Sequence, residues 1–213
     1  MKILDLFCGQ GIAARGLQEF GEITGVDIVD YSRHYPGKFI LADWDSVDLQ
    51  PYDFIWASPP CHAYSSATKP SRSKGFKYPD LLEHVILKLQ NSGKPFVVEN
   101  VPQAPFQQSF LLCGQMFNLN MKRHRRFYTN FFVFCQPHPK HKFGVVRVWG
   151  HGDKGGKLHQ KKAWAEVMGV RDLKNVTKNG LALGVPVAYV RYIMRQYFLF
   201  SRPHPLSPSP ASC

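Results

Sequence analysis

Lys2-Ile-Leu-Asp-Leu-Phe-Cys-Gly-Gln-Gly11 opens the chain with an apolar run that stops on a glycine-flanked turn, and residues 12–20 follow with apolar side chains at helical spacing. That is the pattern of a strand, a tight turn and a helix. Such a turn lets backbone approach a ligand closely, with the first N–H groups of the helix behind it. The pattern recurs downstream. Residues 23–26 are a short apolar run closed by Asp27, and residues 39–42 one closed by Asp43. Residues 54–57 run into Ser58-Pro59-Pro60-Cys61, and residues 95–98 are closed by Glu99 and Asn100. Between the last two, Leu81, Leu82, Val85, Ile86 and Leu89 share one face of a helix over residues 80–89, with Asp80 placed to cap it. Strands alternating with helices at this pitch predict an α/β fold, a mostly parallel, Rossmann-like sheet with helices on both faces.

In such sheets ligands gather outside the carboxyl ends of the strands. The sequence puts Cys8-Gly9-Gln10-Gly11, Asp27, Asp43, Cys61 and Glu99 there. Asp27, closing the second strand, suits a ribose diol, and Asp43 suits an adenine amino group. Gly9-x-Gly11-x-x-Ala14 followed by Asp27 also passes as a dinucleotide fingerprint. Nicotinamide cofactors and S-adenosylmethionine both meet these demands, and residues 58–61 decide between them. Consecutive prolines fix the backbone and leave Cys61 projecting from a rigid loop, which hydride transfer does not call for. Where exocyclic amines of bases are methylated, an aromatic residue follows the prolines to stack the base; here a nucleophile does. Glu99 sits at the next strand end, where it can meet whatever Cys61 attacks. Lys122-Arg-His-Arg-Arg-Phe127 reads as a strand whose alternation sends Arg123 and Arg125 to one face, His124 and Arg126 to the other.

The whole chain has 213 residues, 44% of them apolar and 20% charged, enough for a single domain with a real core. No run approaches the roughly eighteen apolar residues of a membrane helix, and Asp5 interrupts the N-terminus before a signal peptide's apolar stretch can form. Membrane and secreted classes are therefore set aside. Five scattered cysteines with no C-x-x-C fit a reducing compartment, the cytoplasm. The net charge is +12, twelve of the fifteen acids precede Val101, and Asp153 is the only acid between Lys122 and Ala165. A half this basic implies a polyanionic partner, nucleic acid. Residues 136–162 form an irregular basic stretch in which Phe143, Trp149, Lys154 and Lys157 are interleaved, suiting backbone contact and stacking. Cys135-x-x-His138-x-x-His141, with His151 and His159 nearby, offers zinc-type ligands but in the spacing of no standard zinc module, so no metal is assigned. Helices are expected over residues 163–168 and 187–200, and a disordered Pro/Ser-rich tail over 201–213.

Taken in order, Asp5-Leu-Phe-Cys-Gly-Gln-Gly11, Pro59-Pro-Cys-His62, Glu99-Asn-Val101 and Arg123-x-Arg125-x-Phe127 resemble the DNA (cytosine-5)-methyltransferase family over about residues 1–130. More weakly, Ala165-Glu-Val-Met-Gly-Val170 and Ala182-Leu-Gly-Val-Pro-Val-Ala-Tyr189 resemble the closing segments of its small, phage-type members. The resemblance implies a class I S-adenosylmethionine-dependent methyltransferase that methylates C5 of cytosine in DNA, expected to be duplex. By it, Cys61 adds to C6 of a base flipped out of the helix, and Glu99 hydrogen-bonds N3 and the exocyclic amine. Arg125 contacts the base O2, and Arg123 supports the Cys61 loop electrostatically. The resemblance also implies that Phe7 packs on the adenine, Gly9 and Gly11 line the methionine end, Asp27 holds the ribose and Asp43 the adenine, with Pro60 and Val185 completing the pocket. His62, Ser65 and Arg126 are expected to meet nucleic acid, as are Lys154 and Lys157.

The sequence departs from the family at Ile12 and Ala182-Leu183, where glycine and Gly-Asn are expected, and at Met121 and His62, where glutamine is expected. The family's long recognition region is reduced to residues 130–162, well below an ordinary domain. The expected organisation is a catalytic and cofactor-binding domain over 1–129, a reduced basic recognition insert over 130–162, completing helices over 163–200, and the tail. That predicts short or relaxed sequence specificity, or a partner that supplies it. Cytosine in RNA or in single strands, the substrate of a transfer-RNA branch of the family, is the alternative, as is a catalytically silent nucleic-acid-binding relative.

Overall fold

The opening apolar run becomes β1 (Lys2–Leu6), whose residues 3–6 are all buried, as a strand covered on both faces must be. The computed structural model describes residues 1–141, 146–148 and 158–200. In it β1 is joined by β2 (Glu22–Asp27), β3 (Lys38–Leu41), β4 (Phe54–Ala57), β5 (Phe96–Asn100), β6 (Phe110–Leu112) and β7 (Arg125–Thr129). These form one sheet of order β3-β2-β1-β4-β5-β7-β6. Pairing is parallel from β3 through β5, and β7 and β6 close the far edge antiparallel. Chain order reverses between β1 and β4, so the loops after these two strands open into the same crevice, the position where such sheets bind ligands.

Among the described residues six α-helices accompany the sheet, α1 (Ala14–Leu17), α2 (Lys69–Ser73), α3 (Leu82–Asn91), α4 (Leu158–Met168), α5 (Lys178–Leu183) and α6 (Val187–Phe200). On one face Ile3, Phe54, Trp56, Val97 and Phe127 pack against Leu17 of α1 and Val190, Ile193 and Met194 of α6. On the other, Leu4, Leu6, Ile55, Ala57, Phe96 and Val98 pack against Leu82, Val85 and Leu89 of α3. A third cluster joins Met121 to Trp164, Met168 and Leu181, and to Ile12 beside the glycine turn.

Several boundaries differ from the sequence reading, each for a local reason. The helix expected over residues 12–20 is a single α-turn. Gly16 lies so close to α6 that an added Cβ would stand 2.8 Å from that of Val190, and the chain leaves the turn through a tighter Phe20 N–H to Leu17 carbonyl bond of 2.9 Å. α3 begins at Leu82, with Asp80 accepting from the Leu82 N–H at 3.3 Å from just outside the helix. β5 runs on to Asn100, because antiparallel β7 extends its ladder and pairs Glu99 with Phe127. β7 itself starts at Arg125, so Arg123 and His124 lead into the strand rather than lying in it. α4 begins at Leu158, earlier than expected, and α5 is an addition to the expected helices; Thr177 caps it, accepting from the Gly180 N–H at 3.0 Å. The span expected for the last helix, 187–200, is that of α6. The tail over 201–213, with Phe143, Trp149, His151, Lys154 and Lys157, lies outside the described residues.

Two departures from the family pattern have packing counterparts. Ile12 is buried against Gly184, where a Cβ would come within 2.4 Å of Ile12's own. A glycine thus stands at 184, making room for the side chain at 12. Met121 is likewise buried against Gly114, where a Cβ would lie 2.6 Å from Met121 Cγ.

Asp5 is buried on β1 and accepts from the Tyr35 hydroxyl at 3.1 Å. Burial pushes its carboxyl up from 3.8 to about 8, against the lowering effect of the Tyr35 hydrogen bond and aided by Asp27. Between those two values the unfolded chain ionises Asp5 while the folded protein keeps it protonated. Its contribution to stability is therefore complete at low pH and is lost as pH rises toward 8. Asp5→Asn keeps a neutral acceptor for Tyr35, so the variant's Tm should fall less between about pH 5 and about pH 8 than that of the unsubstituted protein. Parallel curves in calorimetry would show that Asp5 is ionised in the fold.

Candidate active site

The loop after β4 carries Cys61, half-buried, and is pinned from three sides. Its own carbonyl accepts from the N–H groups of Tyr64 at 3.0 Å and Ser65 at 2.8 Å. From β5, the buried Asn100 amide donates to the Pro59 carbonyl at 3.1 Å. From α2, Arg72 donates to the carbonyls of His62 at 2.8 Å and Ser65 at 2.9 Å and to the Thr68 hydroxyl at 2.6 Å. The prolines stiffen the loop, and these bonds aim it.

Glu99, 6% exposed, projects beside it from β5. Arg125 Nε donates to Glu99 Oε1 at 2.7 Å. The Ser58 hydroxyl also donates to Glu99 and accepts from the Trp56 indole at 3.1 Å. Burial still raises the Glu99 carboxyl above the usual carboxylate range, though Arg125, Arg123 and Ser58 pull it down. A carboxyl so poised can donate a proton as well as accept one. Cys61 is held above an ordinary thiol, first by burial and then by the charge of Glu99, while Arg125 and Arg123 oppose both. Cys61, Glu99 and Arg123 therefore bias one another's protonation at this end of the sheet, with the Arg125 charge acting on all three.

Arg123 is the most deeply buried of the cations here, and its burial, with Arg125 alongside, lowers it to about 9, so it stays cationic at neutral pH. Its guanidinium donates to the carbonyls of Val148 at 2.7 Å, Ala182 at 2.5 Å and Gly184 at 2.7 Å. Tyr189 of α6 donates its hydroxyl to the Arg123 carbonyl. Arg123 thus ties the C-terminal segment to the site as well as adding charge beneath it, a structural task its place in the sequence did not disclose.

The cleft beside β1 is built on strained backbone. Phe7 adopts φ 58°, a left-handed conformation that costs a bulky residue on the order of 1–2 kcal/mol. It is held there by bonds from the Cys8 N–H to the Val26 carbonyl at 3.1 Å and from the Gly9 N–H to Asp27 Oδ2 at 2.9 Å. Its ring lies 5.5 Å from Trp44. Gly9, at φ 49°, has nothing within 4 Å of where a Cβ would stand, which leaves its face open to the cleft. Asp27, Asp43 and the 71% exposed Ile28 border the same rim at the ends of β2 and β3. Gln10 locks the turn to α5, donating to Thr177 Oγ1 at 3.0 Å and accepting from the Thr177 N–H at 2.8 Å.

Other expected site residues lie elsewhere or act differently. Val185, expected in the cofactor pocket, is 2% exposed and packs in the core with Tyr189 and Val190, leaving almost no surface for a ligand. Gly11 faces Tyr35 and Pro36, and an added Cβ would meet Pro36 Cδ at 2.5 Å, so close packing requires glycine there. Pro60 lies half-buried in the Cys61 loop. Arg126, expected to meet nucleic acid, commits its guanidinium to Ser109 Oγ at 2.7 Å and the Ala104 carbonyl at 3.1 Å, anchoring the loop before β6 instead. His62 stacks on Tyr78 with ring centroids 5.5 Å apart, and Ser65 Oγ accepts from the Ala67 N–H at 3.2 Å. Cys135 donates to the Leu111 carbonyl at 3.5 Å, and it is Cys113 and His124 whose ligand atoms group with those of His138 and His141. Asn100, Ser58 and Arg72 are loop supports that sequence reasoning missed. Asn100 and Ser58 sit inside the quoted motifs, but Arg72 is one cation among several in a basic tract.

A mostly parallel seven-stranded sheet closed by an antiparallel edge, with this crevice and helices on both faces, is the class I methyltransferase fold. A profile of the C-5 cytosine-specific DNA methylase family matches residues 1–108, and the chain belongs to that family. Among solved structures it is similar to DNMT2 of Spodoptera frugiperda, with TM-score 0.62, 16% identity, and 92% of this chain and 99% of that one covered. It is similar also to the Entamoeba histolytica methyltransferase EhMeth, with TM-score 0.62, 12% identity, and 95% and 99% covered. For the Dnmt2 methyltransferase of S. pombe the figures are 0.59, 12%, and 91% and 96%. At these identities the likeness concerns the fold. Among curated proteins, none matches the chain by sequence. No helix among the described residues is long and apolar enough to cross a membrane.

The cofactor of the family is S-adenosylmethionine, and the cleft fits it: an open glycine face, a carboxylate at the end of β2, and apolar Phe7 and Ile28 at the rim. The coupling between Cys61 and Glu99 can be measured directly. Glu99→Gln removes the negative charge that raises the thiol, and each unit by which a thiol pKa falls increases its thiolate about tenfold. Alkylation of Cys61 at about pH 8, followed by peptide mass spectrometry, should run several-fold faster in the variant. An unchanged rate would uncouple the two groups.

Proposed function

We propose that this chain methylates C5 of cytosine in duplex DNA, with residues 1–129 and 163–200 forming the catalytic body and 130–162 a reduced recognition insert. The observation that carries the reading is the convergence of the Cys61 thiol with the buried Glu99–Arg125 pair at one end of the sheet. Cytosine C5 is a weak nucleophile. Cys61, losing its proton, forms an S–C6 bond, and the displaced π electrons make C5 enamine-like. Glu99 delivers a proton to N3 as that charge develops, and Arg125, already oriented by Glu99, donates to O2. Arg123 favours the Cys61 thiolate from below. S-adenosylmethionine, when bound, supplies an electrophilic methyl group on a sulfonium; Phe7, Gly9, Asp27 and Asp43 are the residues that would hold it. Loss of the C5 proton to a base then breaks the S–C6 bond and regenerates Cys61, while N3 returns its proton to Glu99. The target base must leave the duplex, at a cost of a few kcal/mol.

A cytosine in RNA or in a single strand is the second reading, favoured by the short segment left for sequence recognition, since an unpaired base needs no extrusion. Duplex DNA carrying 5-fluorocytosine blocks the final proton loss, so with S-adenosylmethionine present it should trap a denaturation-resistant adduct at Cys61. Cys61→Ala should give none, and Glu99→Gln should slow turnover on ordinary DNA on the order of a hundredfold. Trapping on RNA or single strands alone would move the substrate there, and no adduct on any of them would leave a silent binder. Charge reversal at Lys154 and Lys157 should weaken DNA binding and lower its salt slope by roughly 0.9 for each phosphate no longer neutralised; an unaltered slope would place the DNA-binding surface elsewhere.

A further inference from the structure

Cys113 lies just before a 3-10 turn (Gly114–Phe117) that follows β6, His124 between the two site arginines, and His138 and His141 on the segment after β7. The fold brings their ligand atoms, one thiol sulfur and three imidazole nitrogens, within 4.8 Å of one another. Cys113 Sγ is 3.4 Å from His141 Nε2, and His124 Nε2 is 2.9 Å from His138 Nε2. Zinc–sulfur bonds of about 2.3 Å and zinc–nitrogen bonds of about 2.0–2.1 Å set tetrahedral edges of about 3.5 Å from sulfur to nitrogen and about 3.3 Å between nitrogens. The two separations lie within a few tenths of an ångström of those edges. A hydrogen-bonded cluster accounts for one pair or the other, but not for four donors of this type converging with their ring centroids 4.8–5.1 Å apart.

We infer that Cys113, His124, His138 and His141 hold one structural zinc ion. Soft thiolate with imidazole and no carboxylate selects zinc over calcium or magnesium. Four protein ligands complete a tetrahedral shell and leave no position for substrate, so the ion staples and does not catalyse. It clamps the end of β6 and the segment beyond β7 onto the residue between Arg123 and Arg125. Both arginines are thereby fixed against the sheet without a large recognition domain packed around them. The metal assignment does not depend on which nucleic acid is the substrate.

The full-length, untagged chain, purified without chelator, should carry about one zinc per molecule by mass spectrometry of the metal. Stripped protein reloaded with cobalt(II) should show the intense visible bands of a tetrahedral site and a near-ultraviolet thiolate-to-cobalt band. His138→Ala, at an exposed position, should fold and lose most of the metal; Cys113→Ser should abolish the thiolate band, and Cys135→Ser should change neither. If Cys113→Ser fails to fold, the cobalt spectrum of the unsubstituted chain decides whether a thiolate is bound. Folded protein that neither contains zinc nor binds cobalt would overturn the assignment. So would metal that survives His138→Ala and Cys113→Ser but is lost with Cys135→Ser.

Discussion

A carboxylate taken out of water must be paired, and Glu99 is taken out of water almost completely. That demand organises the far half of the sheet. In the register of β5 against β7, Phe127 stands opposite Glu99 and Arg125 lies two residues before it, on the same face. The antiparallel return of β7 starts at Arg125 and supplies the ion pair. Arg123, two residues before the strand, then needs acceptors of its own, and the carbonyls of Val148, Ala182 and Gly184 provide them. Those bonds draw in the segments that carry α5 and α6. A buried pair of this kind is a poor source of net stability; it holds the Glu99 carboxyl and the Arg125 guanidinium in one orientation near the Cys61 thiol.

The cofactor side obeys a different constraint, steric rather than electrostatic. Phe7 and Gly9 sit at positive φ so that the backbone turns out of β1 without blocking the crevice. The strain is offset by a hydrogen bond to Asp27, the residue that also presents a carboxylate at the rim. Gln10 and Thr177 latch the same turn from the C-terminal side. The two halves of the site therefore share one closing element, the stretch from Thr177 to Tyr189.

Short-range patterns in the sequence carried the parallel half of this architecture. The strand at residues 54–57, the acids at the ends of β2 and β3 and the helix at 187–200 are local features, legible from apolar spacing and from the residues that stop it. Glu99 and Cys61 were legible as a pair because strand ends converge in such sheets. What escaped depends on contacts between distant residues. Gly184 is unremarked until Ile12 is seen against it, and Arg126 reads as a phosphate ligand until Ser109 and Ala104 are placed beside it. The histidine stretch offered Cys135 as the nearest thiol in sequence, whereas the nearest in space is Cys113, on the other side of β7. Thr177 caps a helix whose six residues are too few to show a period.

The sequence distances spanned by these bonds also order events in time. Arg123 is bonded to carbonyls 25, 59 and 61 residues further along, and Gln10 to Thr177, 167 residues away. As the chain leaves the ribosome, β1 to β5 can pair once residue 100 has emerged. The acceptors of Arg123 are still unmade then, and at roughly 5–20 residues per second they follow only after about 4–17 s. Through that interval the Cys61 loop and the glycine turn stand without the bonds that Arg123 makes to the C-terminal segment and without the Gln10–Thr177 latch. The end of the sheet that carries Cys61 and Glu99 is therefore completed only after residue 184 has emerged, well behind the strands that present it.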